Sequence, residues 1–437
     1  MKRLYTLMLI IFAMFIFVSC DRNGYNENDE PLLTEHIAPA STTPAHSPII
    51  PVVPPPNPEG INTNAWPPPT AQIQLSIDPN GTISAATITS MAIDAEGVLW
   101  SWGRSGTFGL LGAGEIEEAL RPIGIMENVA YVNVNSAMAQ AIDAYGGLWQ
   151  WGMFINEASP LNQNIQTNIP FRATENIAMV DFGQNVDFYL LTMDGEVRSW
   201  SYATGRSDHD FTQGPIDVTR LAEAIPPIWT FSPGRILTGI RQFSTNSNSF
   251  TRAFVTYDHE LHILSDIIEF PGTQPTDGSI KSNVARVSAG SGLLLILTND
   301  GRLYAFGDNT DGQVGTGSDA WRYREIQFIM DNIAHIYAGI NNAFAITLDG
   351  RLYAWGNNSG GKLGDGTAAN RRYPTFIMDN VNNVAAGSRH TLAITNDGRL
   401  YGWGENRAGQ LGQGEGGGGF YHSPVFIMDG MRLVERS

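Results

Sequence analysis

Gly414-Glu415-Gly416-Gly417-Gly418-Gly419 is the stretch of this chain that most invites a chemical reading, because glycine-rich loops let backbone N–H groups cradle a phosphate. It lacks the Lys-Ser/Thr ending and the strand-to-helix setting of such a loop, so it reads as a connection. Asp308-Asn309-Thr310-Asp311-Gly312 suggests a calcium loop, yet Gly307 stands where the first acidic ligand belongs and Ser318 where the twelfth does. His259 and His262 fall three apart on a predicted strand, where they point to opposite faces and cannot share a metal. Asp208-His209-Asp210 is contiguous in a polar loop, unlike a triad assembled from distant segments. Glu115, Glu117 and Glu118 read as a solvated loop. Cys20 is the only cysteine, which excludes an internal disulfide. No catalytic residue, metal or cofactor is expected.

What would position such residues is a repeat. Asn299-Asp300-Gly301-Arg302-Leu303-Tyr304-Ala305-Phe306-Gly307 returns as Leu348-Asp349-Gly350-Arg351-Leu352-Tyr353-Ala354-Trp355-Gly356 and as Asn396-Asp397-Gly398-Arg399-Leu400-Tyr401-Gly402-Trp403-Gly404. Weaker copies carry Gly97, Gly147 and Gly195, and Asp258-His259-Glu260-Leu261-His262 supplies another with His259 in place of glycine. Seven units near a 50-residue period mark an architecture in which each unit buries its core against its neighbours. Two apolar runs around an Asn-Asp-Gly turn make a hairpin, and its glycines (Gly97, Gly147, Gly195, Gly301, Gly350, Gly398) are expected at φ > 0. The second run is apolar on both faces, with Leu400 on one side and Tyr401 and Trp403 on the other. Small sheets stacked radially need that pattern. The expected fold is therefore an all-β, seven-bladed propeller of four-stranded blades. Residues 83–93 read as the strand before the first turn and Phe426 to Val434 as the strand before that, so both chain ends are expected to close one blade.

Ala386-Gly387-Ser388-Arg389-His390-Thr391-Leu392-Ala393, then Asp397 to Gly404, then Gly409-Gln410-Leu411-Gly412 resemble the regulator of chromosome condensation repeat family. The resemblance is specific over 284–437, loose over 83–200 and poor over 201–283. It implies a seven-bladed propeller. His390 matches a core position of that family, with Ala343 and Gly292 as its counterparts, so packing is its expected role. The family's eukaryotic members include exchange factors for a small GTPase, and similar bacterial propellers include a secreted inhibitor of β-lactamases.

The first residues are a different object. Lys2 and Arg3 precede an apolar run from Leu4 to Val18, whose 15 residues span roughly 22 Å as a helix, short of a ~30 Å hydrocarbon core. An export signal over 1–19 is expected. Its end, Phe17-Val18-Ser19-Cys20, resembles the lipobox of bacterial lipoproteins, which implies diacylglycerol and palmitate on Cys20 and a membrane anchor facing out of the cytoplasm. Residues 20–71 hold 12 of the 24 prolines and read as a disordered tether, leaving 72–437 for the propeller. Net charge is −17, or −19 after the signal is removed, and about −14 belongs to 72–437, which disfavours nucleic acid.

These features point to an anchored, non-catalytic module that presents loops to a protein or glycan outside the membrane, as a monomer. Inhibition of an extracytoplasmic enzyme is the alternative, and nucleotide exchange is disfavoured because a cytoplasmic GTPase would be out of reach. Residues 201–283 break the repeat and carry Trp229, Phe231, Phe243 and Phe250, so ligand contacts are expected in its loops, with Trp229, Phe231, Arg235 and Arg241 as first candidates; that these aromatics fill the core of a decayed blade is the other reading.

Overall fold

The computed structural model describes residues 79–155, 164–182, 188–193, 195, 197–200, 239–245, 252–264, 282–414 and 418–434, all within the unit 46–437. Cys20 and the residues expected to form an export signal and a tether, with Trp229, Phe231, Arg235, Phe250 and Asp208 to Asp210, lie outside them.

The chain is a propeller of antiparallel sheets, each paired in chain order. The first holds β1 (Ile83–Ala85), β2 (Thr89–Ile93), β3 (Leu99–Arg104) and β4 (Glu118–Met126). The second holds β5 (Val129–Val134), β6 (Met138–Asp143), β7 (Leu148–Ile155) and β8 (Asn164–Thr174). Two sheets have three strands among the described residues: β9 (Ile177–Phe182), β10 (Phe188–Thr192) and β11 (Val197–Trp200), then β12 (Ile240–Thr245), β13 (Arg252–Thr256) and β14 (Leu261–Leu264). Three regular sheets follow: β15 (Val284–Ala289) to β16 (Leu293–Thr298), β17 (Leu303–Asp308) and β18 (Arg322–Met330); β19 (Ile333–Ala338) to β20 (Asn342–Thr347), β21 (Leu352–Gly356) and β22 (Arg371–Met378); β23 (Val381–Ala386) to β24 (His390–Thr395), β25 (Leu400–Glu405) and β26 (Phe420–Met428).

Burial falls outward along each sheet. Strands β6, β16, β20 and β24 are buried at every residue, while β18, β22 and β26 have no buried residue. The apolar cores lie between sheets rather than within them. Met91, Ile93 and Leu99 of the first sheet pack on Val132, Ala139 and Trp151 of the second, and Leu293, Leu295 and Leu297 of the fifth on Ile336 and Trp355 of the sixth. The last sheet meets the first: Leu392, Leu400 and Ala385 share a cluster with Ile83, Ala92 and Trp102.

Both chain ends enter the first sheet, in a different division from the expected one. Residues 83–93 form two strands, β1 and β2, rather than one, and Phe426 to Met428 finish β26 at the outside of the last sheet. Met431 alone pairs with Asp94, in the place that Val129 takes opposite Asp143 in the second sheet. Ala95 N–H donates to Gly430 O (2.9 Å), as Ala144 N–H does to Asn128 O (2.8 Å). The innermost strand of the first sheet is thus a composite, its first residue C-terminal and the rest N-terminal.

The turns agree with the repeat at five of six glycines. Gly97, Gly195, Gly301, Gly350 and Gly398 have φ between 77° and 86°. Gly147 does not; its neighbour Gly146, at φ 81°, occupies the left-handed position. That places the turn 49 residues from both Gly97 and Gly195 and makes the early period regular. His259 adopts φ 62°, so the irregular unit keeps the same turn with a side chain that tolerates it, and His259 lies in a turn rather than on a strand.

A candidate recognition face

In an up-and-down sheet the first and third hairpins open on one face of the ring, and the Asp-Gly turns and the crossings between sheets on the other. The third-hairpin loops are the longest regular ones, and recurring residues hold them. Asn309 Oδ1 accepts from Val314 N–H (3.0 Å) while its Nδ2 donates to Ala320 O (2.7 Å), clamping both arms of the loop. Asn358 does the same with Leu363 N–H and Ala369 O, and Asn406 accepts from Leu411 N–H. All three asparagines are buried.

Each loop then seats the next sheet. The indole Nε1–H of Trp355 donates to Gln313 O, that of Trp403 to Lys362 O, that of Trp151 to Leu110 O and that of Trp102 to Gln410 O, each at 2.9 Å. The closing glycine of the loop leaves room for that ring: a Cβ on Gly315 or Gly364 would stand 2.7 Å from the indole nitrogen of Trp355 or Trp403. Glycine is required there by close approach as well as by φ, +92° and +84°.

A second set of links runs around the axis between first strands. Val134 N–H donates to Ser84 Oγ, Asn133 Nδ2 to Asp181 Oδ1, Thr245 N–H to Asp181 Oδ2, Ala289 N–H to Ser244 Oγ and Ala338 N–H to Ser288 Oγ. Tyr337 Oη donates to Ala386 O, its phenol pushed up to about 12 by burial. Asn383 Nδ2 donates to Thr82 Oγ1 across the last seam, which Thr87 and Ser388 also bridge at 3.1 Å. Every seam of the described ring carries at least one such bond.

Lys362 and His390 are buried on this scaffold. Lys362 takes the place held by Gln313 and Gln410 in sister loops, and its Nζ donates to Ile340 O (2.9 Å) and Ser388 O (3.4 Å). Burial lowers its ammonium to about 8. His390 Nε2 lies 2.8 Å from Ser90 Oγ, and that hydroxyl donates to Gln410 O. Burial pushes the imidazole down to about 3, so it is neutral at ordinary pH. The Ser90 hydroxyl is spent on a carbonyl and both side chains are fully buried, which makes this a structural pair. The pairing register gives His390 the counterparts Asn342 and Leu293, one residue away from the expected Ala343 and Gly292.

The remaining sequence candidates are placed as follows. Arg241 belongs to β12, not to a loop, and its guanidinium lies 3.3 Å from His259 Nδ1 beside the turn, on the face opposite the long loops. Phe243 is fully buried between Tyr189 and Phe254 and fills the core. Asp308 pairs with Arg322 (3.4 Å), Glu118 with Arg104 (2.9 Å), and Glu115 accepts from Asn168. His262 lies on β14 near Glu260 (3.8 Å). Among the described residues no three histidines, cysteines or carboxylates gather as a metal site. Strand β11 ends on the long-loop face. The clamping asparagines and the indole-to-carbonyl ties were not anticipated; the recurrence of Gly-x-Asn at Gly307, Gly356 and Gly404 is the signal that would have found the first.

Loops of this design, repeated at this period, match one family. Residues 300–346, 349–394 and 397–434 match the regulator of chromosome condensation (RCC1) repeat, and a second form of it matches 284–313, 333–362 and 381–410. Residues 284–434 are similar to that family's repeats. No curated protein matches this sequence. Among solved structures, Prp20p of Saccharomyces cerevisiae, studied for its binding to Gsp1p and histones, is 19% identical over 79% of this chain and 76% of its own, with a TM-score of 0.42. Human WBSCR16 is 16% identical over 80% of this chain and 83% of its own, at 0.40. PorZ, a surface component of the type-IX secretion system of Porphyromonas gingivalis, is 13% identical over 83% of this chain and 39% of its own, at 0.41. Outside the RCC1 repeats the turn chemistry differs. Asp94 and Asp143 accept from the indoles of Trp100 and Trp149, where the repeats have Thr298, Thr347 and Thr395 bonded to the turn aspartate and Tyr304, Tyr353 and Tyr401 in the places of those tryptophans.

Proposed function

We propose that this protein is a non-catalytic recognition module: a closed seven-bladed ring, lipid-anchored through Cys20 and facing out of the cytoplasm, that presents its long-loop face to a protein or glycan. One observation carries the reading. The recurring glycines, asparagines and tryptophans of the RCC1 repeats are consumed in clamping loops and seating neighbouring sheets, so they build a scaffold and leave recognition to the segments that break the period. Strand β11, which precedes the long break in the repeat, ends on that face. Charge favours the same half: the 12 basic and 13 acidic residues of 284–434 nearly cancel, so almost all of the propeller's net negative charge precedes residue 284. A partner with a basic surface fits it.

The anchor and the face are tested together. Fatty-acid labelling should mark the wild type and not Cys20→Ser; equal labelling removes the lipoprotein reading. In capture from intact cells with the full chain, Trp229→Ala and Phe231→Ala should lose the partner at unchanged melting temperature. Capture as strong as wild type, or unfolding of both variants, would move the site elsewhere.

A further inference from the structure

Exposed phenylalanines recur on three consecutive outer strands. Phe328, Phe376 and Phe426 are 55%, 47% and 41% exposed. Each meets the tyrosine opposite it on the third strand, with Tyr304, Tyr353 and Tyr401 at 5.7, 6.0 and 5.9 Å between ring centres and 71°, 73° and 74° between ring planes. The first two sheets set Gly124 and Arg172 opposite Trp100 and Trp149, so no phenylalanine stands there. Tyr401 packs with Ile377 and Met378 on the core between the sixth and seventh sheets, and Phe426 therefore stands at the outer mouth of that crevice. Tyr353 packs likewise with Ile329 and Met330 between the fifth and sixth. Both crevices open on the half of the ring that carries the Asp-Gly turns, because Tyr353 and Tyr401 are the second residues of β21 and β25, which start at those turns.

The chain itself carries a segment of matching chemistry. Pro48-Ile49-Ile50-Pro51-Val52-Val53-Pro54-Pro55-Pro56 is nine residues without a polar side chain, in a stretch otherwise rich in Ser, Thr and Asn. A spacer that only has to stay in water has no need of four β-branched apolar residues in nine. Proline falls at every third position, and polyproline II has three residues per turn, so Pro48, Pro51 and Pro54 share one edge while Ile49, Val52 and Pro55 share another. Aromatic-lined grooves read such a helix, which comes preformed and loses little entropy on docking. The described chain begins on the same half of the ring: residues Pro79–Thr82 lead into β1, which runs from the turn side to the first hairpin on the long-loop face. From Pro56 to Pro79 there are 23 residues. They reach roughly 70 Å at ~3.1 Å each, whereas strands ~4.8 Å apart put the fourth only about 15 Å beyond the first.

We propose that the crevice between the sixth and seventh sheets holds the chain's own residues 48–56 as a polyproline helix, its apolar edges on Phe426 and Tyr401 and on Ile377 and Met378 across from them. This crevice is the nearer of the two to the start of the described chain, since Pro79–Thr82 packs beside β23 of the seventh sheet. It departs from the free tether expected over 20–71 and leaves 20–47 as the free length before the docked segment.

Two spin labels test it on the full chain carrying Cys20→Ser, which has no other thiol. Asn57→Cys puts one label at the end of the segment, and Ser423→Cys the other at an exposed position of β26. Pulsed electron resonance should read one narrow distance. Phe426→Ser in the crevice and Val53→Asp in the segment should each spread it into a broad distribution at unchanged melting temperature; Val53→Asp changes no residue of the sheets, so its effect is not damage to the fold. A synthetic peptide of residues 46–58 gives the second reading. It should bind the Val53→Asp chain more than about tenfold more tightly than the wild type, whose own segment competes at high effective concentration. A broad distribution in the wild type, a narrow distance that survives either substitution, or equal peptide binding to wild type and Val53→Asp would overturn the proposal.

Discussion

Replacing Met431 by alanine tests whether one C-terminal side chain completes the first sheet. Met431 is 2% exposed, sits in the cluster shared by the first and last sheets, and pairs with Asp94. Removing a buried methionine side chain costs about 2–5 kcal/mol, so Met431→Ala should lose that much. Leu433→Ala, at 43% exposure two residues away, should lose well under 1 kcal/mol. Truncation after Asp429 leaves β26 whole but also removes the bonds of Ala95 to Gly430, Met431 to Gly398 and Arg432 to Ile93, each worth about 0.5–1.5 kcal/mol. The combined loss, about 3.5–9.5 kcal/mol, approaches the whole stability of a typical fold. Urea unfolding followed by tryptophan fluorescence is the assay, since Trp102 lies in the affected cluster. Met431→Ala unfolding at the wild-type midpoint, or a truncated protein as stable as the full chain, would refute closure by the composite strand.

Gly364→Ala combines φ +84° with a Cβ 2.7 Å from the Trp403 indole, whereas Gly317→Ala meets φ +79° and open space. The first should therefore cost about 1–3 kcal/mol more in the same assay, and equal losses would show that the indole seat is unimportant. Lys362 gives a pH signature. Its folded value near 8 is below the ordinary 10.5, so between those values the unfolded chain holds a proton that the native one has released, and stability rises with pH. Unfolding midpoints from pH 7.5 to 10.5 should show the wild type gaining about 3 kcal/mol over Lys362→Gln, and parallel curves would contradict the buried ammonium.

The turns were legible because their chemistry is local: Asp-Gly flanked by apolar runs forces φ > 0 at Gly301, Gly350 and Gly398 whatever surrounds them. Gly147 was misplaced because Gly146 offers the same freedom one residue earlier, and only the ladder register separates them. Residues 83–93 fold as a hairpin closed by Ala86 N–H on Thr89 O, and the completion of that sheet by Met431, more than 300 residues away, is what no local pattern carries. The same limit hid the ties between Trp403 and Lys362 O and between Trp355 and Gln313 O, since each joins neighbouring units through a carbonyl that any residue could supply. Arg241 was set in a loop because the irregular segment has no period to mark β12, and the structure gives it to the strand beside His259, while Phe243 lies in the core. Loop candidates resist sequence reading for the reason that makes them useful: folding does not dictate them.

The composite strand sets the order of events in folding. The contacts that finish the first sheet join Ser90 to His390, Thr82 to Asn383 and Asp94 to Met431, separations near the full length of the ring. The entropy of closing so long a loop is lost before any of those contacts forms, so ring closure belongs late and is slow. During synthesis the first sheet waits for residues made last, with the seam-facing sides of Ile83, Ala92 and Trp102 uncovered until Met431 arrives. An unfinished chain is an open arc with two sticky ends, and in that interval the protein depends most on being kept apart from its own copies.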